Sequence, residues 1–442
     1  MKSLYIHVPF CLRKCRYCDF YSVESNSVLV DMYLNALEKE FSLYSEHLRD
    51  LRTVYIGGGT PSVLSGDKLE KLLKIIAGNI QLAQLPPVSV LHEKGYLPAS
   101  PLGKGHPPVS PLGKGHPPVS PLGKGHPPVS PLGKGGIKGG YNGNGYEYTI
   151  EINPATITPE KIEILGKWGV NRISIGIQSL NDSFLSLLGR AHTAGQAEKT
   201  IDIIRENFNS FSVDLICAIP GQNRNDWEKT LNRVLSFSPP HISAYELTPE
   251  RGTPLWYELE SGGLRMPDEE SILEMYEITS RKLTGEGYRH YEISNYSMPG
   301  YESLHNINYW RRGEYIGLGP SAHSLIGGKR FGNVSDILKY CEMLQDNETP
   351  VESVFSPSPE DVIRETILLG LRTAEGIGLA GMPGIVRENT GGRIDEDAFI
   401  VKLDKHLQGG LVKIDNKRLH LTEKGFLLSN SVIVEVMRAM RL

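Results

Sequence analysis

The chain has 442 residues, a formal net charge of −4, 39% hydrophobic residues and 22% charged residues. That length accommodates about three domains of roughly 150 residues. The composition suits a globular protein, and the slightly acidic balance excludes one that coats nucleic acid by charge alone. The apolar stretch before Pro9 is too short for a secretory signal, and no apolar run approaches the ~20 residues of a spanning helix. Five cysteines, three of them between Cys11 and Cys18, read as a reduced thiolate site and not as a disulfide framework.

Short β-branched runs alternate with helical patterns over the first part of the chain. The runs fall at residues 3–8, 53–56, 148–152, 172–177, 212–216 and 241–247, with amphipathic stretches at 31–48, 68–76, 159–168, 198–207 and 225–235. In the first stretch Leu34, Leu37, Phe41, Tyr44 and Leu48 recur at three- and four-residue spacing, and Thr158-Pro159 is a helix start. This alternation predicts an α/β fold with a parallel sheet and right-handed crossovers. Six units favour a partial (β/α)6 TIM-type barrel, whose chemistry lies at the carboxyl ends of its strands.

Residues 86–146 break the pattern. Pro-Leu-Gly-Lys-Gly-His-Pro-Pro-Val-Ser occurs three times from Pro101 to Ser130, and the segment holds 13 Pro, 14 Gly and six Lys against one Glu. Few apolar groups offset chain entropy there, so it reads as a disordered insertion, and His106, His116 and His126 as solvated loop residues. After residue 260 helical patterns appear at 268–283, 334–344 and 361–371. A hairpin over 411–421 turns at Asp415-Asn416-Lys417 before a last helix. The expected organisation is a barrel over 1–85 and 147–260, the insertion over 86–146, a barrel extension over 261–355, and a C-terminal helical, winged-helix-like domain over 356–442. No basic stripe marks that last unit, so no nucleic-acid role is expected for it.

The sharpest signal is Cys11-Leu12-Arg13-Lys14-Cys15-Arg16-Tyr17-Cys18, on a loop just past the first strand. Three thiolates at spacings of four and three can converge on one metal centre, and Arg13, Lys14 and Arg16 favour the ionised thiol. Structural zinc wants four ligands, and only Asp19 stands near to complete a set. A cubic four-iron cluster held by three cysteines keeps one iron open for a chelating small molecule.

The Cys-x3-Cys-x2-Cys spacing after the first strand of a (β/α) barrel resembles the signature of the radical SAM enzymes. In them a [4Fe-4S] cluster binds S-adenosylmethionine at its open iron and cleaves it to a 5′-deoxyadenosyl radical. The flanks Tyr5-Ile6-His7-Val8-Pro9-Phe10 and Asp19-Phe20-Tyr21 resemble the coproporphyrinogen III oxidase-like (HemN-type) branch, and within it the HemW-like haem chaperones. The resemblance implies Cys11, Cys15 and Cys18 as cluster ligands. It implies Tyr5, Tyr17, Gly58, Gly59, Thr60, Glu151, Gln178, Arg190 and Asp214 as contacts of S-adenosylmethionine. Chemistry agrees at several of them. Glycines admit close backbone approach, a guanidinium pairs with a carboxylate, and an acid inside an apolar strand needs a polar partner. Cys217 and Cys341, in an apolar strand and a helical run, read as core.

Two departures from the oxidase point to the chaperone subgroup. Phe20 stands where the oxidase has a fourth cysteine, and the chain begins two residues before the first strand, without the oxidase's N-terminal arm. His305-Asn306-Ile307-Asn308-Tyr309-Trp310 matches the subgroup's HNxxYW pattern. Imidazole and aromatic groups suit a porphyrin, which makes His305 a haem-ligand candidate; the alternative is a hydrogen-bonded structural histidine. The resemblance implies a cytoplasmic protein that binds haem as cargo and delivers it to acceptor proteins. It also implies an electron donor, and it is compatible with peripheral membrane association and a homodimer. The alternative activity is oxidative decarboxylation of coproporphyrinogen III. A third reading, of another class, is a zinc-structured binding module.

Overall fold

The computed structural model describes residues 2–82, 145–379 and 396–439. The insertion expected over 86–146 lies outside the described residues except at its last two positions. Six parallel strands lie side by side in chain order: β1 (Ser3–Val8), β2 (Thr53–Gly58), β3 (Glu147–Ile152), β4 (Arg172–Gln178), β5 (Phe211–Cys217) and β6 (His241–Glu246). Helices Ser27–Leu43, Gly66–Asn79, Pro159–Lys167, Ala194–Asn207 and Arg224–Leu235 make the crossovers. Their starts are chemically marked. Asn26 and Thr158 accept backbone N–H bonds, and Thr193–Gln196 and Asn223–Asp226 form capping boxes.

The sheet continues past both ends of this set to twelve strands among the described residues. Beyond β1 the parallel strand Tyr315–Leu318 leads into the antiparallel strands His323–Ile326, Lys329–Asn333 and Val351–Phe355. Beyond β6 lie Asn295–Ser297 and Arg289–Glu292. The outermost strands do not pair with each other, so the barrel is partial, as the six-unit pattern predicts.

Parallel strands flanked by helices are ordinarily apolar on both faces. Here a period of two divides them. Leu4, Ile6, Val54, Ile56, Ile150, Ile173, Ile175, Val213, Leu215 and Ile242 are fully buried in one core with the crossover helices. The other face carries Ser3, Tyr5, His7, Thr53, Tyr55, Glu151, Ser174, Ser212, Asp214 and Ser243. The register sets Tyr5 opposite Tyr55, Glu151 opposite Ser174 and Asp214 opposite both Gly176 and Ser243. A barrel interior filled with hydroxyls and carboxyls is a site, since aliphatic filling would be more stable.

The C-terminal part has its own core. Helices Pro359–Gly370, Glu396–Gln408 and Ser429–Ala439 and a hairpin of Val412–Asp415 with Arg418–Leu421 bury Ile363, Ile367, Leu403, Leu419 and Val432 together. The hairpin turn is Asn416-Lys417, at φ 48° and 58°, the left-handed pair that a two-residue turn with the strands' twist demands. Tyr276 and Ile293 of the barrel extension pack against this core. No helix among the described residues is long and apolar enough to cross a membrane.

Candidate functional site

The cysteine loop leaves β1 at Pro9 and covers the carboxyl ends of β1, β2 and β4. All three thiols are half-buried and unpaired by disulfides. Cys11 Sγ lies 3.7 Å from Thr60 Oγ1, and Arg190 Nη1 donates to Cys15 Sγ at 3.4 Å. Burial, with the neighbouring Cys15 and Cys11 adding to it, pushes the Cys18 thiol up to about 11. The cations adjacent in sequence serve mostly elsewhere. Arg13 donates to the Arg190 carbonyl, and Arg16 pairs with Glu258 and with the Leu187 carbonyl. The guanidinium that meets a thiol comes from Arg190, 175 residues beyond Cys15, a partner that local spacing could not reveal.

Glycines shape the ledge beneath the loop. A Cβ on Gly57 would come within 2.8 Å of the Glu151 carboxyl, one on Gly58 within 2.5 Å of the His7 ring, and one on Gly59 within 2.5 Å of the Phe10 carbonyl. Gly58 also needs its φ of 103°. Glu151 accepts from Tyr55 Oη at 2.7 Å and from Gly58 N at 3.3 Å, and burial raises its carboxyl to about 7. Tyr5 bonds His7 Nδ1 at 3.1 Å, and His7 Nε2 reaches the Tyr21 carbonyl at 2.9 Å. Burial, then the charge of Glu151, raises the Tyr5 phenol well above its ordinary value, and burial raises Tyr17 beside Arg190.

At the end of β4 a register shift and a left-handed Gln178 (φ 65°) turn the chain out of the sheet. Gly176 leaves room for both Gln178 and Arg190, whose Nη2 donates to the Gly176 carbonyl at 2.5 Å. Arg190 Nε is buried with no partner, a donor directed where an acceptor is still due. Asp214 accepts from Ser174, Ser212 and Ser243 hydroxyls at 2.5, 2.8 and 2.7 Å, the polar partners that an acid in an apolar strand requires. His192, not singled out in the sequence, bridges Asn153 and the Ile177 carbonyl at 3.1 Å each and supports this rim. His7 and Tyr55 were also missed. The inward phase of β1 and β2, shared with Tyr5, is the signal that would have found them.

His305 lies at the opposite end of the barrel. Its short helix, Leu304–Trp310, plugs the amino ends of the strands, where Glu147 accepts from Leu304 N and His305 N at 2.9 and 3.0 Å. The imidazole is 1% exposed, stacks on Tyr55, and bonds Thr53 Oγ1 at 2.8 Å and Tyr309 Oη at 3.0 Å. Burial lowers its pKa to about 3. Both ring nitrogens are engaged, so neither is free for iron, and of the two readings the geometry supports the hydrogen-bonded structural histidine. Cys217 and Cys341 sit in the main core, as expected.

The donor set fits an iron–sulfur cluster with a chelating ligand: three thiols on one loop, a guanidinium at one of them, and a glycine ledge backed by carboxyls. Among the described residues no three His, Cys, Asp or Glu side chains converge on a single ion. A cubane spreads its thiolates over different irons.

Sequence comparison agrees with this arrangement. The radical SAM superfamily profile matches residues 5–99 and 118–234, and the HemN C-terminal domain profile matches residues 358–428. The chain is 32% identical to the heme chaperone HemW of Bacillus subtilis over 98% of each chain. It is 31% identical to that of Lactococcus lactis, over 97% of this chain and 96% of the relative. A mitochondrial radical S-adenosyl methionine domain-containing protein 1 from Danio rerio is 30% identical over 85% of this chain and 73% of its own length. The solved structure of Escherichia coli coproporphyrinogen III oxidase, HemN, superposes with a TM-score of 0.72 at 20% identity over 98% of this chain and 89% of HemN, a likeness of fold.

Proposed function

Because this chain belongs to the HemW haem chaperone family of the radical SAM superfamily, we propose that it binds haem and passes it to acceptor proteins. Cys11, Cys15 and Cys18 hold a [4Fe-4S] cluster, and S-adenosylmethionine lies against the ledge of Gly58, Gly59 and Thr60. When bound, the cluster supplies an open iron for chelation and one electron for reductive chemistry, drawn from an electron donor. The chain's own residues do the positioning. Arg190 neutralises the thiolate of Cys15 and offers its free Nε to a carboxylate. Glu151, raised by burial to about 7 and held in place by Tyr55 and Gly58, is poised to accept from an ammonium, and Gln178 and Asp214 extend the polar wall. Tyr5, hydrogen-bonded to His7, and Tyr17, beside Arg190, add aromatic contacts.

The observation that carries this reading is the alignment with HemW chaperones from end to end, with the thiol loop gathered at the polar mouth of the barrel. The test is anaerobic reconstitution followed by iron and sulfide analysis, haem titration, and transfer of the bound haem to an apo-acceptor. A cluster-loaded protein with saturable haem uptake and transfer supports the chaperone. Conversion of coproporphyrinogen without haem uptake would replace it by the decarboxylase.

A further inference from the structure

A cavity of about 530 Å³ lies beside the cysteine loop, between β1, the strand Tyr315–Leu318 and the helix Pro359–Gly370. That is the size class of a cofactor-sized ligand. Of the positions assigned above to S-adenosylmethionine only Tyr5 lines it, so the cavity is a neighbouring compartment of the same mouth. Phe20, Tyr21, Leu325 and Leu369 give it apolar walls, and Tyr309 and Tyr315 meet edge to face at 4.7 Å on another side.

Its cations are Arg312 and Arg330. Arg312 Nε and Arg330 Nη1 meet opposite oxygens of one carboxylate, Glu365, at 2.7 and 2.8 Å. Two guanidiniums thus share one anion. Arg312 Nη2 is buried with no partner, and a buried donor left so is a place for an absent acceptor. Arg312 sits at φ 52°, the left-handed position just past the end of helix Leu304–Trp310, so the helix end sets where its side chain starts. Asp19, on the loop after Cys18, is the one carboxylate that lines the cavity among the described residues.

The cavity also presents two imidazoles. His7 is engaged at both nitrogens. His323 is exposed, and no hydrogen bond to its ring occurs among the described residues. Two glycines make its place. A Cβ on Gly332 would stand 3.0 Å from the His323 ring, and one on Gly317 would strike the His323 carbonyl at 2.1 Å.

From this juxtaposition we infer that the cavity is the haem seat: His323 ligates the iron, Arg312 and Arg330 hold the two propionates, and the aromatic walls cover the macrocycle. The inference rests on the chaperone reading and assigns its cargo a place distinct from His305. A flat dicarboxylic metalloporphyrin supplies each thing the cavity lacks: a metal for the free imidazole, an anion for the orphaned donor, and an apolar plane for the walls.

The test titrates the full-length, cluster-loaded protein anaerobically with haem, with metal-free deuteroporphyrin and with the dimethyl ester of that porphyrin. His323→Ala is expected to lose the imidazole-ligated haem spectrum while binding metal-free deuteroporphyrin as the wild type does. Arg312→Gln and Arg330→Gln are each expected to weaken haem and deuteroporphyrin about ten- to a hundredfold, as loss of a charged hydrogen bond does, and to leave the ester's affinity unchanged. Iron and sulfide content of each variant reports an intact fold. Saturable haem binding by the wild type, with spectrum unchanged in His323→Ala and affinity unchanged in both arginine variants, overturns the seat and leaves the chaperone standing. Absence of haem binding by the wild type overturns both.

Discussion

The mouth of the barrel and the strands added beyond β1 hold polar groups in opposite ways. At the mouth most groups satisfy one another, Arg190 Nε staying open: three hydroxyls converge on Asp214, Tyr55 and Gly58 serve Glu151, and His192 bridges two carbonyls. In the extension one buried acid is saturated while the adjoining cavity is left short. Glu40, in the first crossover helix, accepts from Tyr340 Oη and Asn333 Nδ2 at 2.6 Å and from Gly319 N at 2.8 Å, which pins the added strands to the barrel. A few residues away Arg312 keeps a free donor and His323 a free ring. The mouth is pre-built to hold a resident group tightly. The extension is rigid at its root and unfinished at its face, the condition of a site that loads and unloads.

The contrast breaks first if the thiol loop is dispensable. Cys11→Ala, Cys15→Ala or Cys18→Ala is expected to abolish the cluster, with iron and sulfide falling to background in anaerobically purified protein. Retention of a full complement of inorganic sulfide in any of them would remove the mouth from the comparison.

The next effect is on stability and its pH dependence. Burial raises the Glu40 carboxyl from 4.5 to about 7, so the folded state holds a proton that the unfolded chain has released between those values. The contribution of this group is therefore fully present below pH ~4.5 and is lost as pH rises through ~7, about 3 kcal/mol in all by linkage. Glu40→Gln cannot ionise and should flatten the dependence between pH 5 and 8, measured by denaturant unfolding. An equal slope in wild type and variant would show that Glu40 is not the root of the extension.

Arg190→Lys keeps the charge and loses the fork that spans Cys15 Sγ, the Gly176 carbonyl and the free Nε. Affinity for S-adenosylmethionine, by calorimetry on cluster-loaded protein, should fall about tenfold. The smallest effect is at the hairpin of the C-terminal unit. Lys417 sits at φ 58°, so Lys417→Gly should raise thermal stability by about 0.5–1 kcal/mol through relief of the left-handed penalty.

The two regions also differed in how far the sequence disclosed them. Mouth residues lie on strands or just past them, and strands announce themselves by β-branched runs. Cys11–Cys18, Gly57–Thr60, Glu151, Gln178 and Asp214 were therefore visible by position before any contact was known. Arg190 was visible as a residue but not as the partner of Cys15, because that pairing depends on the β4 bulge. His305 carried a recognisable motif, yet its place in the plug follows from Glu147 and Thr53, which lie 158 and 252 residues away. The extension was the least legible. Its strands are only four or five residues long, and Lys329–Asn333 carries charge and glycine, so no period-two run identifies them. The cavity is assembled from four separate stretches of chain, and no spacing rule joins Phe20 to Leu369.

The carboxylate of Glu365 belongs to the helix Pro359–Gly370, while the guanidiniums it bridges come from the turn after Leu304–Trp310 and from the strand Lys329–Asn333. An arriving dianion would compete with it for the same two clamps. Occupancy and the attachment of that helix are then thermodynamically antagonistic, and by reciprocity a protein that pulled the helix away would tighten the grip on the ligand by the same factor, while one that pressed it home would eject the ligand.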